Sequence, residues 1–341
     1  MSQSLSLFVA FAVLVVGFVL LIKGADAFVD GSSAVARRLR VPPIIIGLTI
    51  VSMGTSLPEL AVSVTAAMAG NNEIAVSNVT GSNIFNLMVV LGVSALFTPL
   101  AVQRESLTRE FPFSVACAAL MAYLGAHGEA VKEGIGSIDR GDGLVLLAFF
   151  ALFLGYTVRS ALKARAESDD DGDTAGILSP GKSLLFILIG LTAIKFGGDL
   201  VVGGDTVITG EKISYGAVAI ARFLGMSDNL IGLTVIALGT SLPELVTSVV
   251  AARTNELDMA VGNVIGSNLF NILFILGTAA AISPVDFTGE NLIDTCILLG
   301  FSLIVWLFTW TSRALVRWEG VVMLALYGGF LAYIIGRVYG F

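Results

Sequence analysis

The 341-residue sequence has one histidine, two cysteines and only 13% charged residues. So few imidazoles and thiols disfavour a zinc or copper site and a disulfide framework. It also lacks a nucleophile and base pair, a phosphate-binding loop and a redox motif, so an enzyme has no support and no cofactor is expected. The net charge of −7, without clusters of Lys and Arg, argues against nucleic acid as a partner.

The scarce residues themselves are predicted to be structural. Cys117 and Cys296 each lie alone in an apolar segment, so we expect both thiols to be buried and to pack as small apolar groups. His127 lies near the end of another apolar segment. An interfacial position suits it better than a role as a proton relay.

Apolar residues are abundant: they make up 56% of the chain, and the mean hydropathy is +0.91. This composition predicts an all-α integral membrane protein with a lipid-facing surface. No basic residue precedes the first apolar segment, so we expect a retained span rather than a signal peptide. The predicted spans number ten: 5–28, 43–69, 72–98, 110–127, 142–163, 182–207, 216–252, 257–283, 291–312 and 318–339.

The basic residues predict the orientation in the membrane. Twelve Lys and Arg residues fall on one side of the ten-span arrangement and five on the other. Because cytoplasmic loops carry the excess of Lys and Arg, both termini are predicted to lie outside the cytoplasm of a multi-pass protein of the cell membrane.

The chain contains an internal duplication. Residues 47–99 align without a gap to residues 232–284, with 27 identities in 53 positions. Two polar motifs recur at this offset of 185 residues: Gly54–Glu59 returns as Gly239–Glu244, and Gly81–Asn86 returns as Gly266–Asn271. Acids and amides in apolar surroundings are costly unless they meet a cation or a partner, which makes each copy a candidate site.

The duplication predicts two halves of five spans each. The first repeat covers 1–165 with its core at 47–99, and the second covers 177–341 with its core at 232–284. Since five is odd, the second copy enters the membrane inverted, and the halves pack about an axis in the membrane plane. The joint 166–176 is an acidic cytoplasmic linker, whose Asp-rich run lacks the spacing of a calcium-binding EF-hand.

Each Pro-Glu motif predicts an opened helical turn. Proline has no N–H, so Pro58 and Pro243 release the carbonyls of Gly54 and Gly239. Such a turn survives at membrane depth only where it lines a cavity or is buried in protein. Glu59 and Glu244 each follow a threonine by four residues, so each carboxylate is expected one turn from the loosened carbonyls.

The second motif adds neutral oxygens. Asn78, Ser82 and Asn86 share one helix face, and the second copy supplies Asn263, Ser267 and Asn271. Carboxylates, amides, hydroxyls and carbonyls suit Ca²⁺ and alkali cations rather than Zn²⁺ or copper. The alternative is purely structural: kinked helices, hydrogen bonds between spans and protonated glutamates.

The paired GTSLPEL and GSNxFN segments resemble the alpha repeats of the sodium/calcium exchanger branch of the calcium/cation antiporter superfamily. The resemblance covers both cores and extends over the whole chain. It implies ten helices in two inverted halves, a central Ca²⁺ site flanked by Na⁺ sites, and alternating access through sliding of the first and sixth helices. Ca²⁺ and Na⁺ would be the transported ions, membrane lipid the surroundings, and one chain the functional unit.

The resemblance also implies ligands by motif position. Glu59 and Glu244 would be shared by Ca²⁺ and Na⁺, beside the carbonyls of Thr55 and Thr240. The Na⁺ sites would use side chains or backbone oxygens of Ser52, Ser56, Ser82, Ala237, Ser241 and Ser267. Asn86 and Asn271 take the last polar position of each motif, where the family often has Asp in the second copy, and the amide makes K⁺ dependence less expected.

Two other transport functions stay open at this stage. A proton-coupled exchanger of the same superfamily is the first, although its usual Gly-Asn-Ala-Ala-Glu segment is replaced here by Pro before each Glu and Leu after it. A passive channel filtered by Glu59 and Glu244 is the second, but inverted repeats with broken helices favour a carrier. Asp26 and Asp199, expected near the ends of two spans, are either gate residues or locally paired acids, as Lys195 with Asp199.

Overall fold

The computed structural model describes residues 3–69, 73–127, 135–167, 178–208, 211–225 and 237–339. Helices dominate, as the composition predicted, and three two-stranded sheets join their ends. The helices are α1 (Gln3–Leu39), α2 (Pro43–Thr55), α3 (Leu57–Met68), α4 (Ile74–Phe97), α5 (Phe111–His127), α6 (Arg140–Glu167), α7 (Pro180–Val202), α8 (Gly216–Phe223), α9 (Ala237–Gly239), α10 (Leu242–Arg253), α11 (Leu257–Ile282), α12 (Gly289–Ser312) and α13 (Arg317–Tyr339). The strands are β1 (Leu100–Ala101), β2 (Gly136–Ile138), β3 (Gly204–Ile208), β4 (Glu211–Tyr215), β5 (Val285–Phe287) and β6 (Ala314–Leu315).

Seven helices among the described residues are long and apolar enough to cross a membrane, or eight if the bent pair α2 and α3 forms one span. Helix α5 has 17 residues and therefore reaches about 26 Å, slightly less than the hydrocarbon core. The predicted span 216–252 contains α8, α9 and α10, but residues 226–236 lie outside the description. The count of ten spans therefore stays a prediction, as do the boundaries of the two repeats. Helix α6 ends at Glu167, so most of the predicted linker 166–176, including its Asp-rich run, lies outside the described residues.

Several sequence-based boundaries and positions were wrong. Helix α1 extends to Leu39 rather than ending near residue 28, so Asp26 lies inside the helix and not toward its end. Helix α7 stops at Val202 because Gly203 takes a positive φ of 76°, and the chain then enters strand β3. Cys117 is buried as predicted, but Cys296 is exposed on the outer face of α12.

Helices α4 and α11, which carry the repeated GSNxFN motifs, lie at the centre. In their apolar segments 83% and 78% of the residues are buried, against 22–33% in the other five candidate spans. Equivalent phenylalanines of α4 and α11 pack against the opposite half. The ring of Phe85 lies edge-on to that of Tyr327 in α13, with centroids 5.8 Å apart, and the ring of Phe270 lies 5.7 Å from that of Phe150 in α6. The polar motifs are thus enclosed by aromatic contacts on both sides.

The small sheets connect the halves reciprocally. Strand β1, which follows α4, pairs with β6, while β5, which follows α11, pairs with β2. Strands β1 and β5 occupy equivalent positions in the two repeats, 185 residues apart. Each therefore pairs with a strand of the other half. The third sheet is the hairpin β3–β4, and it occupies the region where the second half carries a 12-residue insertion relative to the first.

Helices α1 and α7 run antiparallel in close contact along small residues. Gly17, Gly24 and Gly31 of α1 face Gly197, Gly190 and Ser183 of α7 in that order. A Cβ added at Gly197 would lie 2.6 Å from the backbone nitrogen of Leu21, and one at Gly190 would lie 2.7 Å from that of Phe28. Only small residues permit this approach of two backbones.

The contact makes a testable prediction about adjacent glycines of α7. Gly197→Ala forces the two helices apart, so we expect a loss of about 1–3 kcal/mol of stability. Gly198→Ala is the matched control: nothing described lies within 4 Å of its added Cβ, and alanine favours a helix by up to about 1 kcal/mol over glycine. Thermal unfolding in detergent measures both. Equal stability of the two variants would contradict the close packing of α1 and α7.

Candidate functional site

The two Pro-Glu motifs form breaks between helices. Helices α2 and α3 meet at Ser56 with a bend of 50°, and Pro58 lies in the first turn of α3, where its missing N–H costs nothing. Ser241 and Pro243 occupy the same positions at the start of α10. The sequence predicted that Thr55 and Glu59 lie on one helix face. The structure differs, because the break places them on separate helices, where both side chains are buried.

Glu59 and Glu244 lie together at the centre of the protein, 1% and 0% exposed. Each carboxylate is held by a serine of the opposite half. Ser56 Oγ donates to Oε1 of Glu244 at 2.7 Å, and Ser241 Oγ donates to Oε1 of Glu59 at 3.0 Å. Each serine lies three residues before the glutamate of its own motif and binds the glutamate of the other motif, so the two broken helices are joined reciprocally around the acids.

A second pair of contacts supports the walls of this centre. Asn78 donates to Ser63 Oγ at 2.9 Å, and the equivalent Asn263 donates to Ser248 Oγ at 2.8 Å. Asn78 also donates to the backbone oxygen of Glu59 at 3.2 Å. These bonds hold each broken helix against α4 or α11 and so determine where the carboxylates stand.

Four asparagines close a reciprocal ring between α4 and α11. Asn83 donates to the backbone oxygen of Asn268 at 3.3 Å, and Asn268 donates to that of Asn83 at 3.4 Å. Asn86 donates to Oδ1 of Asn268 at 3.2 Å, and Asn271 donates to Oδ1 of Asn83 at 2.9 Å. With the amide N–H groups of Asn86 and Asn271 engaged in this way, a flip of either amide would set two oxygens against each other.

The ring coincides with local widening of both helices. A π-helical segment runs from Asn86 to Val90 in α4, and another runs from Phe270 to Leu276 in α11. Segments of this kind occur frequently at functional sites, because the wider turn redirects side chains and loosens carbonyls. Both begin within one residue of the last Asn of the GSNxFN motif.

Five buried oxygen atoms at this centre have no hydrogen-bond partner among the described residues. They are Oε2 of Glu59, Oε2 of Glu244, Oδ1 of Asn86, Oδ1 of Asn271 and Oγ of Ser267. A buried acceptor without a partner is costly, and such atoms in a native protein call for a ligand, an ion or water. All five come from the repeated motifs, and both halves contribute.

No basic side chain neutralises the two glutamates within the described part of the chain. Ion pairs elsewhere in that part of the chain include Lys23–Asp26, Arg37–Glu256, Lys195–Asp199, and Arg337 with Glu290 and Asp294. The described residues also contain no cluster of three or more His, Cys, Asp or Glu side chains that could hold a metal ion. Any cation bound here would thus be held by two carboxylates and neutral oxygens.

The structure brings most of the predicted site residues together. Ser52, Thr55, Ser56, Ser82, Asn86, Ser241, Ser267 and Asn271 are all buried around the two glutamates or on the walls of the same centre. Thr240 is partly exposed and interacts with Glu59, and the equivalent Thr55 is buried, interacts with Glu244 and lies 3.3 Å from Oδ1 of Asn263. Ala237 begins helix α9, and its side chain lies outside the description.

Other expectations met mixed outcomes. Asp26 pairs with Lys23 at 3.1 Å and Asp199 with Lys195 at 2.9 Å, the local pairing that the sequence allowed. The two glycines that open the GSNxFN motifs differ: a Cβ added at Gly266 would lie 2.7 Å from Leu48 Cα, so α11 approaches α2 closely there, whereas nothing described lies within 4 Å of one at Gly81. Asn83 and Asn268 were missed, although identity of both motif copies at this position was a signal.

Comparison with known proteins gives one consistent result. The sequence profile of the "Sodium/calcium exchanger protein" family matches residues 9–159 and 182–336. The putative antiporter CaxA of Alkalimonas amylolytica is 38% identical over 94% of this chain and 97% of its own length. The sodium/calcium exchanger MaX1 of Methanosarcina acetivorans is 32% identical over 95% and 97%. A solved structure of the sodium-calcium exchanger NCX_Mj superposes with a TM-score of 0.78 and 32% identity, covering 95% of this chain and 98% of that one.

The amide ring makes a prediction about stability without ions. Asn83→Ala leaves the amide of Asn271 without its acceptor and removes a donor to Asn268, so we expect a loss of about 1–3 kcal/mol. Ser267→Ala is the control, since its buried hydroxyl has no described partner to lose. Unfolding is measured in detergent with chelator and without Na⁺. If Asn83→Ala is as stable as Ser267→Ala, the ring does not order the centre.

Proposed function

Because the chain belongs to the sodium/calcium exchanger family, we propose that it exchanges Na⁺ for Ca²⁺ at the buried centre around Glu59 and Glu244. The observation that carries this assignment is the set of five buried oxygens, contributed by both halves, for which the described residues supply no hydrogen-bond partner. The centre has the character of a cation site shared between two oppositely inserted halves, and Ca²⁺ and Na⁺ are the transported substrates rather than cofactors.

The charge of the site fits one divalent ion. Two carboxylates supply a charge of −2 when ionised, and Ca²⁺ takes roughly 6–8 oxygen ligands. Glu59 and Glu244 are the proposed charged ligands, and the oxygens of Asn86, Asn271 and Ser267 complete the set from α4 and α11. The Thr55 and Thr240 carbonyls, and a backbone oxygen at Ala237, remain proposed ligands from the broken helices.

Competition for the same carboxylates couples the two ion fluxes. We place the Na⁺ sites around Ser52, Ser56, Ser82, Ser241 and Ser267, on either side of the glutamates. Ser56 and Ser241 support this placement, because each hydroxyl already lies on a carboxylate and keeps lone pairs for a cation. Na⁺ and Ca²⁺ cannot both fully occupy such a centre, so downhill Na⁺ entry drives Ca²⁺ out.

The empty site cannot cross the membrane easily. Two uncompensated carboxylates in an apolar interior are strongly disfavoured, so the inward- and outward-facing states interconvert only when the site is loaded. With three Na⁺ exchanged for one Ca²⁺, one net charge moves per cycle, and a membrane potential contributes about 2.3 kcal/mol per 100 mV.

Helices α1 and α7 are the proposed moving element. Their close antiparallel contact along glycines supports movement of the pair as one body over the central helices. The rest of the protein would be the two inverted five-helix halves in the cell membrane, with both termini outside the cytoplasm and a single chain as the functional unit. The reciprocal strand pairs and the amide ring support this arrangement of the halves.

Removal of one acid tests the site directly. Glu244→Gln leaves the shape of the side chain but removes half of the charge, so we expect Na⁺-driven ⁴⁵Ca²⁺ uptake into vesicles to fall at least about tenfold, the effect of about 1.4 kcal/mol. Asp26→Asn is the control, because the Asp26 side chain is 40% exposed and pairs with Lys23. Uptake by this variant should stay within about twofold of the wild type.

The same assay identifies the driving ion. Vesicles are loaded in turn with Na⁺, K⁺ or H⁺, and we expect stimulation by Na⁺ alone. Stimulation by a pH gradient without Na⁺ would show that H⁺ is the coupling ion, although the protein would still be a carrier. Uptake that proceeds equally well with no outward gradient would show that the protein is a channel.

Asn271 offers a second test of the site. Asn271→Asp adds a third carboxylate and removes the N–H donated to Asn83. We expect a loss of about 1–3 kcal/mol of ion-free stability and a larger stabilisation by Ca²⁺ than in the wild type. Thermal unfolding with chelator and with saturating Ca²⁺ gives both quantities. An unchanged Ca²⁺ effect would place residue 271 outside the ion site.

A further inference from the structure

A groove of about 390 Å³ opens between the start of α5 and the outer face of α6, away from the ion site. Its floor is aromatic: Phe113, Phe149 and Phe153 line it, and the rings of Phe113 and Phe153 stack at 5.9 Å. Three polar residues lie on the same groove, namely Arg109, Glu110 and Tyr156. A largely apolar groove with a few convergent polar groups is the usual form of a small-molecule site.

The polar end of the groove lies near the membrane surface. Tyr156 stands roughly 24 Å along α6 from Arg140, at 1.5 Å per residue, so it approaches the far boundary of a hydrocarbon core about 30 Å thick. Arg109 and Tyr156 are both exposed there, and the guanidinium donates to the phenolic oxygen at 3.1 Å. An arginine beside a tyrosine at this depth presents donors at the level of lipid headgroups.

The groove wall also contains an acidic residue, Glu110, next to Arg109. Oε2 of Glu110 is buried and accepts no hydrogen bond from the described residues. Its carboxyl otherwise contacts the Ser106 hydroxyl. A rotation of this side chain presents the free oxygen to the groove, beside the adjacent guanidinium. One groove therefore offers a site for an anion and an acceptor for a cationic N–H group.

A distorted turn holds these two residues in place. Arg109 and Glu110 lie in the π-helical segment Ser106–Glu110, which precedes α5. Trp306 of α12 donates its indole N–H to the backbone oxygen of Leu107 at 2.8 Å, which anchors that segment to the protein. The polar end of the groove is thus built on a wide turn fixed from behind, as at other functional π-segments.

We propose that this groove binds one aminophospholipid of the phosphatidylethanolamine type. The phosphate meets Arg109 and Tyr156, the ammonium donates to Glu110, and an acyl chain lies along Phe113, Phe149 and Phe153. The zwitterionic headgroup matches the pair of opposite charges, which a purely anionic lipid does not. The ammonium also supplies N–H donors, which a choline headgroup lacks.

The test compares lipids that share acyl chains and differ in headgroup. Delipidated full-length protein in detergent is titrated with phosphatidylethanolamine, phosphatidylcholine and phosphatidylglycerol, and bound lipid is counted by native mass spectrometry. We expect the ethanolamine lipid to bind about tenfold more tightly than the choline lipid, the equivalent of about 1.4 kcal/mol. Glu110→Gln should abolish that preference, and Arg109→Gln should weaken both lipids.

Two further variants locate the binding. Leu152→Trp fills the groove and should displace the lipid, while Arg159→Gln, one turn beyond Tyr156 and outside the groove, should change nothing. Thermal unfolding shows that each variant is folded. Equal binding of the ethanolamine and choline lipids to the wild type, tighter binding of the glycerol lipid, or unchanged binding in Leu152→Trp would each overturn the proposal.

Discussion

Two carboxylates that lie buried in the centre of a membrane protein, with no basic partner among the described residues, constrain the rest of this structure. Glu59 and Glu244 cannot be left as free anions in apolar surroundings. The protein therefore surrounds them with hydroxyls and amides, and each acid takes its hydrogen bond from a serine of the other half. Neither half can complete the centre alone, which is a physical reason for the duplicated chain to fold as one unit.

Around the acids, some polar groups form hydrogen bonds with each other, and others have no partner among the described residues. Each of the four asparagines donates one N–H within the ring, whereas the side-chain oxygens of Asn86 and Asn271 have no partner among the described residues. A ring of this kind orients oxygens without using charge. It lets the centre accept ions of different charge while the wall keeps its shape, and that requirement is central to exchange of Na⁺ for Ca²⁺.

The periphery follows a different rule from the centre. Helices α1 and α7 meet through glycines, and their side chains Phe28 and Leu191 reach the broken helix at Gly54, while α4 and α11 contact the opposite halves through aromatic side chains. The close packing of α1 on α7 is what the proposed movement of the pair as one body requires. The groove beside α5 is lined by residues of α5, α6 and the segment before α5, so the lipid proposed there would not contact the pair α1 and α7.

The sequence alone determined the helical membrane character, the duplication and most of the residues around the two acids, because apolar runs and repeated polar motifs are local patterns. It also identified the family through those motifs. It predicted an opened turn at each Pro-Glu motif, but it could not reveal that this turn puts Thr55 and Glu59 on separate helices, that Asp26 lies within a long α1, or that Cys296 is exposed. The ring through Asn83 and Asn268 and the exchange of serines between the acids depend on contacts between residues about 185 positions apart. Only the tertiary structure decides them, since a hydrogen bond between two helices depends on their relative placement and not on the periodicity of either.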